Sequence, residues 1–258
     1  MKLTADYQTH TPYSHGKNTV DENAAAAAAL GLKQIAITDH GYSHIVMGLR
    51  RRETQAIKKE CQDAAEKYGL SVLLGMETNV RGVDGVADIK PKDYDNFDVF
   101  LCGYHICVNF KKLGDWMHGF WGNVTHTYMH VPASKALIKY NTKSIINTIK
   151  KNPVDCITHL TFMCPCDYLE VAKAAADYGT YIELNAKKEH LTDEQLAEII
   201  QKTDVRFIVN SDAHSADRVG DCKKVEEQLS RFDFPMDRID NIEGRLPNFR
   251  LQALKAGK

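Results

Sequence analysis

Seven short apolar runs alternate with helical stretches along almost the whole chain, and this alternation restricts the fold more than any other feature. The runs are Leu3 to Thr9, Gln34 to Thr38, Ser71 to Met76, Phe97 to Gly103, Cys156 to Thr158, Tyr181 to Asn185 and Arg206 to Asn210. Most are rich in β-branched or other apolar residues, as strands buried on both faces require. Helices are predicted near residues 20–31, 50–68, 141–151, 166–178, 192–202 and 217–231. Thr19, with Glu22 three residues later, reads as a capping box opening the first of them. Thr192, Asp193 and Glu194 begin another with negative charge in its first turn. The expectation is an α/β fold, a (β/α) barrel of seven units, with an open doubly wound sheet as the alternative.

At 258 residues the chain is long enough for one such barrel, which takes about 250 residues. No internal repeat, linker or low-complexity segment divides it, so residues 1–258 are read as one catalytic domain. One interval breaks the alternation. Residues 106–140 carry Trp116, Phe120, Trp121 and Tyr128 among several lysines, with no clear periodicity. So long a connection is uncommon unless it has a task, and we read it as a lid or substrate-shaping insertion. A surface insertion with no catalytic role is the alternative.

Charge and cysteine usage narrow the class of function. With 33 basic and 34 acidic side chains the net charge is -1, which supplies no global attraction for nucleic acid or an anionic membrane. Met1 to Thr4 contain no apolar core of a secretory signal, and the alanine run ending at Ala29 is too short to span a bilayer. Seven irregularly spaced cysteines do not make a secreted disulfide framework, so a reducing cytoplasm is the expected location. No GxxxxGK[ST] loop and no GxSxG elbow is present, which leaves P-loop and α/β-hydrolase chemistry without support.

The informative signal is what stands at the ends of the strands. The first run leads into Gln8-Thr9-His10 and then His15, the second ends in Thr38-Asp39-His40, and the third in Gly75-Met76-Glu77. The fourth leads to His105, the fifth to His159, and the seventh to Asp212-Ala213-His214. In a parallel barrel all C-terminal strand ends gather on one face, where barrel active sites lie. Imidazoles and carboxylates brought together there are the ligands expected for zinc, manganese or iron. A lone histidine is more often structural than a ligand, but six at strand ends with two carboxylates exceed chance. His44, His118, His126, His130 and His190 do not fit the pattern, and those of the insertion are kept only as substrate-contact candidates.

These motifs resemble the polymerase and histidinol phosphatase (PHP) family over nearly the whole chain. Its pattern is an HxH after the first strand, a TDH-like motif, a glutamate after the third strand, two single histidines and a terminal DxH. Here these read Gln8-Thr9-His10, Thr38-Asp39-His40, Glu77, His105, His159 and Asp212-Ala213-His214. The resemblance implies a distorted, TIM-like (β/α)7 barrel with two or three divalent ions in a trinuclear site. It places His10, Glu77 and Asp212 around one ion with Gln8 at the remaining position. Glu77 would bridge to a second ion held by His105 and His159, and His15, His40 and His214 would hold a third. Gln8 departs from the pattern, because the family has a histidine there, and a neutral amide is a poorer ligand for such metals than imidazole.

Clustered cations suit phosphate ester hydrolysis by metal-activated water, so the expected activity is that of a phosphoesterase on a small phosphorylated metabolite, similar to histidinol phosphate. A nuclease or nucleotide phosphohydrolase is the enzymatic alternative, and Gln8 motivates a second one, a metal-binding protein with impaired catalysis. Asp39 is expected to orient His40 or to accept a proton. Arg218, just beyond the last motif, is a candidate for binding substrate phosphate and assisting catalysis, and Asn185 is a candidate substrate contact. Cys164-Pro165-Cys166 lacks the spacing of a common zinc knuckle and is read as structural.

Overall fold

The computed structural model describes residues 1–110 and 112–257. Its frame is a sheet of seven parallel strands in sequential order: β1 (Ala5–Thr9), β2 (Gln34–Ile37), β3 (Ser71–Asn79), β4 (Val99–Gly103), β5 (Cys156–Ile157), β6 (Tyr181–Asn185) and β7 (Phe207–Asn210). The sheet curls until its first and last strands meet. Ala213, just past β7, closes the upper seam by accepting from His10 N at 2.9 Å and donating to Gln8 O at 3.2 Å. Lower down, the Asn241 side chain spans the seam. Its amide donates to Ala5 O and Val209 O at 2.9 and 2.6 Å, and its oxygen accepts from Val209 N at 2.9 Å. The expected seven-unit barrel is therefore formed, and the doubly wound alternative is excluded.

The strands are apolar throughout because both of their faces are covered. Ala5, Tyr7, Ala36, Val99, Leu101, Cys156, Tyr181 and Ile208 fill the barrel interior, and Phe249 plugs its base, 4.8 Å from the Tyr7 ring. Alternate residues such as Ile35, Ile37, Met76, Phe100, Ile182 and Phe207 pack outward against the helices. These are α1 (Val20–Ala29), α2 (Thr54–Tyr68), α5 (Lys135–Lys151), α6 (Tyr168–Tyr178), α7 (Asp193–Lys202) and α8 (Lys223–Leu229), while α9 (Arg250–Ala256) follows Phe249. The capping box at Thr19 and Glu22 is present. The helix expected over 217–231 is split. A 3-10 turn at Ala216–Arg218 stops at Gly220, whose φ of 73° and amide bond to Asp6 Oδ2 interrupt the winding before α8.

The described residues of the interval at 106–140 are more regular than its composition suggests. It contains α3 (Leu113–Asp115), a π-helical stretch (Trp116–Gly122) and α4 (Asn123–Met129) in succession. π-helical winding shifts the spacing of apolar residues away from 3.6, which hides the helix from a periodicity search. Helix α5 starts at Lys135, with Ser134 capping it by accepting from Leu137 N.

Candidate metal centre

Six of the seven strands, all but β6, deliver ligand-type residues at or just beyond their carboxyl ends, and these gather in one depression. Glu77, 1% exposed, stands at its centre. Its Oε2 lies 3.0 Å from His40 Nδ1 and 3.6 Å from His10 Nε2. Its Oε1 lies 2.7 Å from His159 Nε2 and 3.5 Å from His105 Nε2, and accepts from Thr158 Oγ1 at 3.1 Å and Gln8 Nε2 at 2.9 Å. Asp212 Oδ1 lies 3.4 Å from His10 Nε2 and 3.5 Å from His214 Nδ1. The His15 ring is 4.1 Å from that of His214 and 4.7 Å from that of His40. Three groups of potential ligand atoms result: His10, His15 and His214; His10, His40 and Glu77; and Glu77, His105 and His159.

The donor set fits metal ions on two independent grounds. Imidazole and carboxylate are ligands suited to zinc, manganese and iron. In addition, His10 Nδ1 and Nε2, His159 Nδ1 and Gln8 Oε1 are buried without a hydrogen-bond partner. Each such orphan costs about 1–3 kcal/mol, so their concentration at one point marks atoms that a ligand is to satisfy.

Electrostatics keep several of these groups in their ligating form. Burial, reinforced by neighbouring imidazoles, lowers His15 and His40 to about 3 and His214 to about 4, so these rings are neutral at pH 7. Burial would raise the Glu77 carboxyl, but His105 and His40 outweigh it and hold it well below the usual range. Burial likewise depresses His159, yet its bond to Glu77 prevails and lifts it to about 8.

Residues that the sequence reading passed over hold the ligands in place. His105 Nδ1 pairs with Asn79 Oδ1 at 2.8 Å, which turns Nε2 towards the centre. Asn79 is fixed in turn by Asp88, which accepts from its backbone and side-chain amides, both at 2.8 Å. The buried Glu183 accepts from His159 N, Asn185 Nδ2 and Asn210 Nδ2 at 2.8, 3.0 and 2.7 Å. Asp6 accepts from Ser211 N and Gly220 N and so anchors the corner that carries Asp212 and His214. His159 and Asp212 themselves have φ of 34° and 50°, sparsely populated values that cluster at functional sites. At Gly103 any Cβ would overlap Thr158 Oγ1 and the His159 ring, so glycine is what allows β4 and β5 to close on the site. The alternation of Glu183 with Asn185 on β6 was a readable signal for the former. Asp88, in a loop, had none.

The other candidate residues are distributed differently. Asp39 is buried and makes its bonds to Thr11 N at 2.8 Å, Thr11 Oγ1 at 2.6 Å and Ser14 Oγ, so it shapes the turn between His10 and His15. Asn185 Oδ1 accepts from Lys187 N and Lys188 N at 2.9 and 3.1 Å and organises the loop after β6. Arg218 pairs with Asp221 and does not line the metal cavity. The basic groups that do line this space of about 500 Å³ are Lys187, Lys188 and Lys224, joined by Phe162 and His190. Lys187 Nζ lies 3.3 Å from Asp212 Oδ2. His44 stacks 5.1 Å from His40 and accepts from Met47 N. Cys164 is buried in the core and Cys166 packs against it.

Known proteins with this sequence pattern and shape are consistent with the geometry. A protein of Acetivibrio thermocellus named "Probable phosphatase" is 28% identical over 93% of this chain and 92% of its own length. "Probable phosphatase YcdX" of Escherichia coli O81 is 28% identical, over 95% and 92%. Histidinol phosphate phosphatase from Lactococcus lactis, solved with zinc, L-histidinol and phosphate, superposes with a TM-score of 0.59 over 96% of this chain and 99% of that one, at 14% identity. The PHP domain pattern itself matches residues 6–187, and the chain belongs to the PHP domain family.

Proposed function

We propose that this protein, a phosphoric ester hydrolase by family, cleaves phosphate monoesters of a small metabolite with the help of two or three divalent ions held around Glu77. The observation that carries this reading is the buried Glu77 carboxylate, both of whose oxygens face imidazoles. His10 and His40 on one side, and His105 and His159 on the other, would each share an ion with it, and His15, His214 and His10 would hold a further one. Ions bound there neutralise phosphate oxygens and lower the pKa of a coordinated water towards neutrality.

The chain's own groups do the rest. Lys187 and Lys188 present ammonium groups at the cavity wall, where they would take up phosphate oxygens that the ions leave free. Asp39 and Asp88 act through the Thr11–Ser14 turn and through Asn79, holding His10, His15 and His105 at the positions the ions require. Gln8 offers Oε1, which is buried and without a partner, while its amide donates to Glu77. A cavity of about 500 Å³ suits a small molecule better than a polynucleotide. Among the described residues no helix is long and apolar enough to cross a membrane.

The test is metal analysis of protein purified without chelator, followed by a phosphoester panel with manganese, zinc or iron added separately. Metal-dependent release of phosphate is expected, and Asp212→Asn or His159→Ala should abolish it while the circular dichroism stays unchanged. Unchanged turnover in either variant removes the proposed site. No turnover of any phosphoester by protein with its ions bound favours the metal-binding reading that Gln8 motivates.

A further inference from the structure

A second space adjoins the metal centre. Phe162 and Lys188 line the metal cavity and also line this space of about 370 Å³, whose other walls include His126, His130, Val131 and Pro132 from the 106–140 interval. These two side chains therefore border both spaces, with the metal ligands on one side and the insertion on the other.

The backbone that presents Phe162 is unusual. His159, Thr161 and Met163 all have positive φ, at 34°, 76° and 52°, in alternation around it. Thr161 is β-branched, for which such a value is a genuine outlier, and each such residue costs about 1–3 kcal/mol. The loop is held by Phe162 N donating to His159 O at 2.9 Å and by the Thr161 hydroxyl bonding to His190 O. The result is a half-buried ring that does not belong to the core clusters. It lies 5.7 Å from the His159 ring and 4.9 Å from that of His190, with Lys188 Nζ 5.3 Å from its centroid. Strain of this kind, spent on a ring that fills no core, places that ring against something else.

We propose that Phe162, with His190 beside it, is a platform for a planar ring in the leaving group of the substrate, and that Lys188 marks the boundary between this subsite and the phosphate. The proposal rests on the monoester reading above and gives the 106–140 interval its role, as the outer wall of the leaving-group space. A substrate phosphate held at the metal ligands would leave its alcohol in the same cavity, whose aromatic wall is Phe162, 5.7 Å from the His159 ring. His190 lines the same cavity, its ring 4.9 Å from that of Phe162. Aromatic pairs in such settings favour a ring over an aliphatic group by about two- to twelve-fold.

The experiment compares benzyl phosphate with ethyl phosphate, both esters of primary alcohols, on the metal-loaded full chain. The wild type should prefer benzyl phosphate by about two- to twelve-fold or more in kcat/KM, mainly through KM. Phe162→Leu should collapse that ratio and Phe162→Tyr should retain it. A ratio near one in the wild type, or one that Phe162→Leu leaves unchanged, overturns the proposal. Calorimetry with benzylphosphonate and ethylphosphonate reads the subsite without turnover. A protein that prefers the benzyl compound yet releases no phosphate would refute the hydrolase reading and keep the platform. Turnover without any ring preference would do the reverse.

Discussion

Glu77→Gln in metal-free protein tests whether one carboxylate organises the centre. His159 Nε2 lies 2.7 Å from Glu77 Oε1. Burial pushes this imidazole down, but the bond and the charge of Glu77 prevail and raise it from 6.5 to about 8. Removing the charge leaves burial opposed only by the more distant Glu183 and Asp212, so the ring should titrate below 6.5. The fall is then at least about 1.5 units, or about 2 kcal/mol at 1.36 kcal/mol per unit. The assay is a histidine NMR titration of chelator-treated wild type and variant. Linkage supplies a second reading. A folded pKa above the unfolded one stabilises fully below about pH 6.5, and that stabilisation is lost as pH rises through 8. The stability gap between wild type and variant should therefore narrow by roughly 1.5 kcal/mol from pH 6.5 to 9 in denaturant melts. A His159 that still titrates near 8 in Glu77→Gln would show that the carboxylate is not its partner, and the geometry of the centre would have to be redrawn.

Other perturbations address the surrounding shell. Gln8→His should raise the metal content of protein purified without chelator, and unchanged content would show that residue 8 is no ligand. Asp88→Ala frees Asn79 and hence His105, so affinity for the ion at His105 should drop by about ten- to a hundred-fold in a competitive chelator titration; an unchanged affinity would remove Asp88 from the metal's support. Asn241→Ala strands two carbonyls and one amide at the barrel seam, at a cost of about 3 kcal/mol or more in urea unfolding, and a loss below about 1 kcal/mol would mean that the seam is held elsewhere.

Much of this was readable from residues in order. Strands β1 to β7 fall where apolar runs stand, because burial on both faces leaves no other composition for them. His10, His40, Glu77, His105, His159 and Asp212 follow directly from their positions at strand ends, since a parallel barrel forces those ends to one face. What failed to show lies where neighbours in space are remote in sequence. Asp88 touches Asn79 from a loop, and Asn241 reaches both β1 and β7 from beyond the last strand. Arg218 looked well placed by its nearness to His214, yet the turn that ends at Gly220 directs it to Asp221. The lysines that line the cavity are those after β6, whose loop is set by Asn185.

The centre separates two charge requirements by depth. At the bottom, Glu77 and Asp212 are held ionised and burial keeps His15, His40 and His214 neutral, a pair of carboxylates that attracts cations. Against burial, the bond to Glu77 lifts His159 to about 8, and Asp212 and Glu77 raise His10, so in metal-free protein their protons occupy part of that field. At the rim, Lys187, Lys188 and Lys224 carry positive charge that does the opposite. Lys187 joins the layers, 3.3 Å from Asp212. An ion must enter past that rim, and a phosphate must reach the bottom, so the ions have to be in place before the phosphate is. Ions bound at the base reverse the field that phosphate meets, and the anionic substrate then completes a sequence of alternating charge from Glu77 outward. On this argument metal-free protein should bind phosphate poorly despite its lysines, and phosphate affinity measured by calorimetry should rise in step with metal occupancy. Phosphate binding of equal strength with and without ions would mean that the lysines alone form the anion site, and the depth ordering would fail.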